Sequence, residues 1–182
     1  KLHTYSVAGE YTVSIIGTFT NFSTIPENDS TLSGDPWKLI DVIQWGDNKW
    51  RNMSYMFAGS GLTILSATGN PDTSLVKSML GMFLESISFN SPVNFDTSNV
   101  VNMQQMFTAA RLFNQPINFN TSKVVTMNHM FNVADAFNQP INFDTGKVVN
   151  MGGMFSNAAS FNSAITFTDT SKVTDMSYMF HG

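Results

Sequence analysis

The chain has 182 residues, 42% of them hydrophobic, so it is long enough to bury a sizeable core and we expect it to be globular. Only 12% of its residues are charged and the formal net charge is −4 with no run of Lys or Arg, which argues against nucleic acid as a partner. No window approaches the ~18 consecutive apolar residues of a membrane span, and the lack of Cys excludes disulfides, thiolate nucleophiles and Cys-bound zinc.

Residues 1–20 are predicted to form a β-hairpin. Tyr11, Val13 and Ile15 alternate with polar residues, and Ala8-Gly9-Glu10 provides a turn before them. Because a hairpin this short lacks independent stability, it either belongs to a larger preceding β-domain or covers the first repeat of the array described next. Residues 21–36 are rich in turn formers and are predicted to be a linker.

Residues 37–182 carry an internal repeat of about 24 residues, which the 12 Met residues mark. The Met residues fall in six M-x-x-M pairs, and each second Met is followed by Phe. The six Phe residues are Phe57, Phe83, Phe107, Phe131, Phe155 and Phe180. The first copy, Ile43 to Phe57, is divergent because Trp45 and Trp50 replace the usual Phe and Val, as is common in terminal repeats.

Each repeat is predicted to hold one short helical segment, either a short helix or a 3₁₀ segment, and one short strand. Val100, Met103, Phe107 and Ala110 follow the spacing of a helix face, and Asp96-Thr97-Ser98 offers capping oxygens before them. Strand-like alternation of apolar and polar residues recurs at 93–95, 117–119 and 141–143.

One repeat cannot bury its apolar face alone, so we expect six coils to stack with Met on Met and Phe on Phe. The fold class is therefore predicted to be an α/β repeat, a leucine-rich-repeat-like solenoid in which the strands pair in parallel. The recurring Asn residues would stack as amide ladders. They form two columns: Asn90, Asn114, Asn138 and Asn162, and Asn94, Asn118 and Asn142.

The repeat V-x-x-M-x-x-M-F-x-x-A-x-x-F-N-Q-P-I, read at Val124 to Ile141, resembles that of BspA-like surface proteins and mycoplasma lipoproteins. These form a branch of the leucine-rich repeats, and the resemblance covers roughly residues 37–182. His3 to Ile15 resembles, over a shorter stretch, the closing hairpin of a PKD-type domain. The resemblance implies a bacterial cell-surface or secreted protein, or a viral relative, that is used for adhesion or partner binding. It carries over no catalytic residue.

The residues offer little chemistry outside the repeat pattern. The Met pairs could bind Cu(I) through their thioethers, but they lie on the apolar face of the repeat, where Met fills a core. The Asp column could bind calcium, but capping explains it better because the glycine-rich nonapeptide of a calcium β-roll is missing. His3, His129 and His181 have no partners at ligand spacing. No cofactor, metal or catalytic constellation is predicted, and the chain is not expected to be an enzyme.

Function is expected to lie in the positions that differ between repeats. The candidate partner surface comprises Gln105, Arg111, His129, Asp135 and Tyr178. The expected partner is a protein or glycan on another cell or in the matrix, met by an extracellular or cell-surface module. The alternative is a structural spacer, or an assembly subunit of an extracellular filament or virion fibre that self-assembles through its coil ends. Ice or mineral binding through flat Thr and Asn columns is a third hypothesis.

Overall fold

The computed structural model describes residues 9–13, 20–24 and 35–182. Most of the hairpin predicted at 1–20 and most of the linker predicted at 21–36 lie outside these residues, so both stay predictions. A single turn of 3₁₀ helix spans Pro36–Lys38, where Pro36 presets the backbone and Lys38 N–H donates to the Asp35 carbonyl over 3.0 Å. No helix in the described part of the chain is long and apolar enough to cross a membrane.

Two short strands pair in parallel, β1 at Ile141–Phe143 and β2 at Ile165–Phe167, with Ile141 opposite Ile165. The segments 93–95 and 117–119 share the burial alternation of β1, yet they are not strands in the structure. Each of these segments would pair with the corresponding segment of the next repeat, at 117–119 or 141–143, and these are preceded by Pro116 and Pro140. In contrast, β2 is preceded by Ala164, whose carbonyl accepts the Ile141 N–H. Proline fixes φ near −65°, away from the roughly −120° of a parallel strand, and we attribute the difference to this restriction.

Successive repeats pair with one another in chain order. A line of parallel bridges connects Ser78 to Asn102, Asn102 to Thr126, Thr126 to Asn150 and Asn150 to Asp175. Beside it, the N–H groups of Met79, Met103 and Met127 donate to carbonyls of the next repeat over 2.9–3.0 Å. Through these bonds each repeat is stacked on the next. Its classification as a leucine-rich-repeat-like solenoid stays a prediction.

The segment around each Met pair is a run of turns in place of the predicted helical segment. The N–H groups of Gln105, Phe107 and Ala109 donate to the next repeat, whereas those of Met106 and Thr108 donate three residues back within their own repeat. An α-helix would direct every N–H four residues back along the chain. The apolar residues have the spacing of a helix face because each local hydrogen bond spans three residues. About half of the backbone hydrogen bonds of this segment, however, connect it to the next repeat.

The core consists of files of identical side chains. Phe107 stacks on Phe83 and Phe131 with ring centroids 5.3 and 5.6 Å apart, and it packs on Phe113 of its own repeat at 4.1 Å. The Met residues from Met53 to Met154 are buried beside these rings. The predicted Phe-on-Phe packing and the core position of these Met residues are therefore confirmed.

One of the two Asn columns forms a ladder of hydrogen bonds, but its side chains bond backbone N–H groups and not one another as predicted. The Oδ1 atoms of Asn90, Asn114 and Asn138 accept the N–H of the Asn one repeat later over 2.8–3.0 Å. Asn94, Asn118 and Asn142 in the second column are exposed. The ladder fixes the spacing of the stack and leaves the second column free to face solvent.

Candidate recognition site

The third residue of every M-x-x-M segment has a left-handed backbone. The φ angles of this column lie between 55° and 61°. Its members are Tyr55, Gly81, Gln105, His129, Gly153 and Tyr178. Such angles favour Gly, yet four of the six residues carry side chains. The N–H groups of the first five also donate to the neighbouring repeat, as when Gln105 N–H donates to the Asn128 carbonyl over 3.0 Å. The backbone is constant along this column while the side chains vary.

Two aromatic side chains of this column lie over the glycine of the following repeat. A Cβ added to Gly81 would fall 2.5 Å from the Tyr55 ring. One added to Gly153 would meet the His129 imidazole, which also has its Nδ1 atom buried without a hydrogen-bond partner in the described structure. The glycines therefore accommodate these rings.

A polar cleft opens where Gly152-Gly153 leaves room between two flanking repeats. Its volume is about 70 Å³. The lining residues are Asn128, His129, Asn150, Gly152, Gly153, Asp175, Ser177 and Tyr178. A Cβ on Gly152 would lie 2.9 Å from Oδ2 of Asp175, so any larger residue there would close the cleft. We call it the glycine cleft.

Asp175 gives the glycine cleft an ionised carboxylate. Its Oδ1 accepts the Ser177 hydroxyl over 2.7 Å and the Ser177 N–H over 2.9 Å. These bonds, with smaller contributions from Asn150 and from the nearby His129 side chain, lower the pKa of Asp175 below its ordinary value of 3.8. The cleft thus combines a carboxylate, an imidazole and two amides, which suits hydrogen-bonded recognition of a small polar group. Within the described residues, no three His, Asp or Glu side chains are grouped as a metal ion requires.

The structure divides the five predicted surface residues between two places. His129 and Tyr178 line the glycine cleft, and Gln105 precedes His129 in the left-handed column. Arg111 and Asp135 instead form an ion pair with Nη1 and Oδ2 2.6 Å apart, each about half exposed. This pair is a separate charged patch on adjacent repeats, and its two charges partly neutralise each other.

The other cleft residues are not among the five predicted ones. Asn128, Gly152 and Ser177 nevertheless lie in the pair of residues between the two Met of a repeat, which differs between repeats and is where the sequence predicts a partner surface. Two further cleft residues lie outside these pairs. Asn150 and Asp175 occupy the position before the first Met, where side-chain oxygens bond the N–H two residues on. Asn52, Ser78 and Asn102 make the same local bond in other repeats, so nothing in the sequence distinguishes Asn150 and Asp175 as members of a site.

A family model described as "Mycoplasma protein of unknown function, DUF285" matches residues 51–143 and, again, residues 117–182. The two matches overlap because an array of similar repeats can be aligned in more than one register. Together they cover most of the chain and agree with the resemblance to mycoplasma-type surface repeats. No curated protein and no solved structure matches the chain.

Proposed function

We propose that this chain, which belongs to the DUF285 family, is a non-enzymatic recognition module that acts in adhesion at a cell surface or in the extracellular space. Its partner would be a host, cell-surface or matrix protein or glycan. The BspA-like kinship and the leucine-rich-repeat-like solenoid form part of the same proposal, as does a PKD-like domain that would contribute residues 1–20.

The observation that carries the proposal is the left-handed column with its neighbouring glycine cleft. Backbone angles and inter-repeat hydrogen bonds repeat along the column, but its side chains range from Gly to His and Tyr. Side chains that vary on a constant backbone can change a binding surface without changing the fold. The polar lining of the cleft supports recognition by hydrogen bonds.

The alternative is a spacer or assembly subunit. It is favoured by the file from Phe83 to Phe180, in which each ring stacks on the corresponding ring of the next repeat. Such files can be extended by any number of repeats, which would set a length without needing a ligand.

The test is binding of the purified chain to a panel of matrix proteins, host-cell proteins and immobilised glycans. A variant with Arg111→Glu, Asp135→Arg and His129→Gln exchanges the two charges, so an ion pair of reversed direction can still form, and it removes the imidazole. We expect specific binding by the natural chain and a loss of about tenfold or more in the variant.

Two results would count against the proposal. Undiminished binding by a folded variant would exclude these residues as the partner surface. A natural chain that binds nothing on the panel but joins end to end in light scattering would favour the assembly alternative.

A further inference from the structure

A second cavity, of about 210 Å³, lies at the other end of the described array. Its apolar lining comes from Trp45, Leu65 and Phe95, and its polar lining includes Asn70, Ser91 and Asn94. We call it the Trp45 cavity. It shares no residue with the glycine cleft or with the Arg111–Asp135 patch.

The cavity lies beside a column of aromatic residues in which one repeat has no aromatic side chain. Phe95 is followed at the same position by Phe119 and Phe143, and Trp45 begins the column, but the repeat between Trp45 and Phe95 has Pro71 there. The Trp45 ring reaches past this repeat and meets Phe95 edge to face, with centroids 5.3 Å apart. Pro71 thus breaks the run of aromatic residues between Trp45 and Phe95.

The aromatic lining is held firmly in place. Trp45 also contacts Trp50 and Phe57, with centroids 6.5 and 6.1 Å away, so three rings fix its orientation. On the polar side, the Ser91 hydroxyl accepts the Leu65 N–H over 3.2 Å. The exposed amides of Asn70 and Asn94 make no hydrogen bond within the described residues, so they are free to bond a ligand.

This lining selects a neutral ligand with one apolar face and polar edges, because no charged side chain belongs to it. A sugar ring has that form: its C–H groups pack against an aromatic ring, and its hydroxyls both donate to and accept from amides. The volume is below the ~300 Å³ at which pockets for drug-sized ligands begin, so it suits one ring.

We propose that the Trp45 cavity binds a single neutral pyranose unit of a glycan. Trp45 is the platform for the face of the ring, and Asn70 and Asn94 bond its hydroxyls. This inference rests on the proposed recognition function and gives it one ligand class.

The test is titration of the purified chain with the methyl glycosides of glucose, galactose and mannose, followed by ligand-observed NMR. We expect at least one of them to bind with a Kd on the order of millimolar, typical of a ligand this small. Asn70→Ala and Asn94→Ala should each weaken binding about tenfold through the loss of a hydrogen bond. Asn118→Ala is the matched control, since Asn118 is exposed in the same column as Asn94 but lies outside the cavity.

Saturable binding that the two cavity variants weaken and the control does not would support the proposal. No binding of any glycoside, or equal weakening in all three variants, would overturn it. If the chain bound a protein on the panel described above but no glycoside, the sugar site would be excluded and the proposed recognition function would remain.

Discussion

At the scale of single residues, the glycines of the left-handed column serve two physical needs. Gly153 adopts φ 61° and also lies under the His129 imidazole. Gly69, which lies outside this column, adopts φ 87° but faces open space. The two positions therefore separate backbone strain from the contact with the ring.

Gly153→Ala should destabilise the chain more than Gly69→Ala. Both variants place a Cβ on a left-handed backbone, which costs about 1 kcal/mol, but only Gly153→Ala displaces the His129 ring, for a further ~1–3 kcal/mol. Urea unfolding of the two variants measures the difference. Equal losses would mean that His129 does not lie over Gly153 in solution.

The Asp and Asn residues before each turn stabilise that turn through their side chains. Oδ1 of Asp72, Asp96 and Asp169 accepts the N–H of the Ser two residues later over 2.8–3.0 Å, and Asn120 does the same over 3.1 Å. The side chains thus supply the acceptor oxygens that were predicted, but they bond the N–H groups of a turn and not those of a helix. Hydrogen bonds from Ser98 lower the pKa of Asp96 below its ordinary 3.8, and corresponding bonds lower the pKa of Asp72 and Asp169.

These pKa shifts predict a loss of stability in acid. A carboxyl group whose pKa is lower in the folded state stabilises the fold fully above the unfolded value of 3.8, and this contribution disappears as the pH falls through the lower folded pKa. The urea midpoint should therefore decrease below about pH 3.8. Asp96→Asn keeps the acceptor oxygen without a charge and should reduce the decrease, whereas Asn120→Asp should enlarge it. Identical acid profiles for both variants would contradict this explanation.

At the scale of elements, each repeat is stabilised mainly by its neighbours. Phe107 lies between Phe83 and Phe131 and is fully buried, whereas Phe180 belongs to the same column but is 59% exposed. Burial differs between these two positions while the local sequence stays similar.

Phe107→Ala should therefore cost about 3–5 kcal/mol of unfolding free energy, because it leaves a cavity in the middle of the file. Phe180→Ala should cost less than about 1 kcal/mol, since solvent already reaches that ring. Denaturant titration of both variants provides the comparison. Similar costs at the two positions would show that the Phe files are not stacked as described.

At the scale of the whole molecule, most of the repeat pattern could be predicted from the sequence, but little of the glycine cleft could be. The Met and Phe columns are legible because a stack requires the same side chain at the same place in every repeat. The alternation of hydrogen bonds around Met103 is hidden, since local turns and a helix give the same apolar spacing. The glycine cleft is hidden as well, because it depends on which neighbours of Gly152 meet across repeats.

The central claim is that a constant stack carries variable side chains that recognise a partner. It is tested most directly by replacing the pair Asn128-His129 with the Gln-Gln pair that precedes it by one repeat at 104–105. Gln105 already adopts the left-handed backbone of this column, so the double variant should keep the urea midpoint of the natural chain. Its binding on the partner panel should fall about tenfold or more. Full binding by this folded variant would contradict the claim.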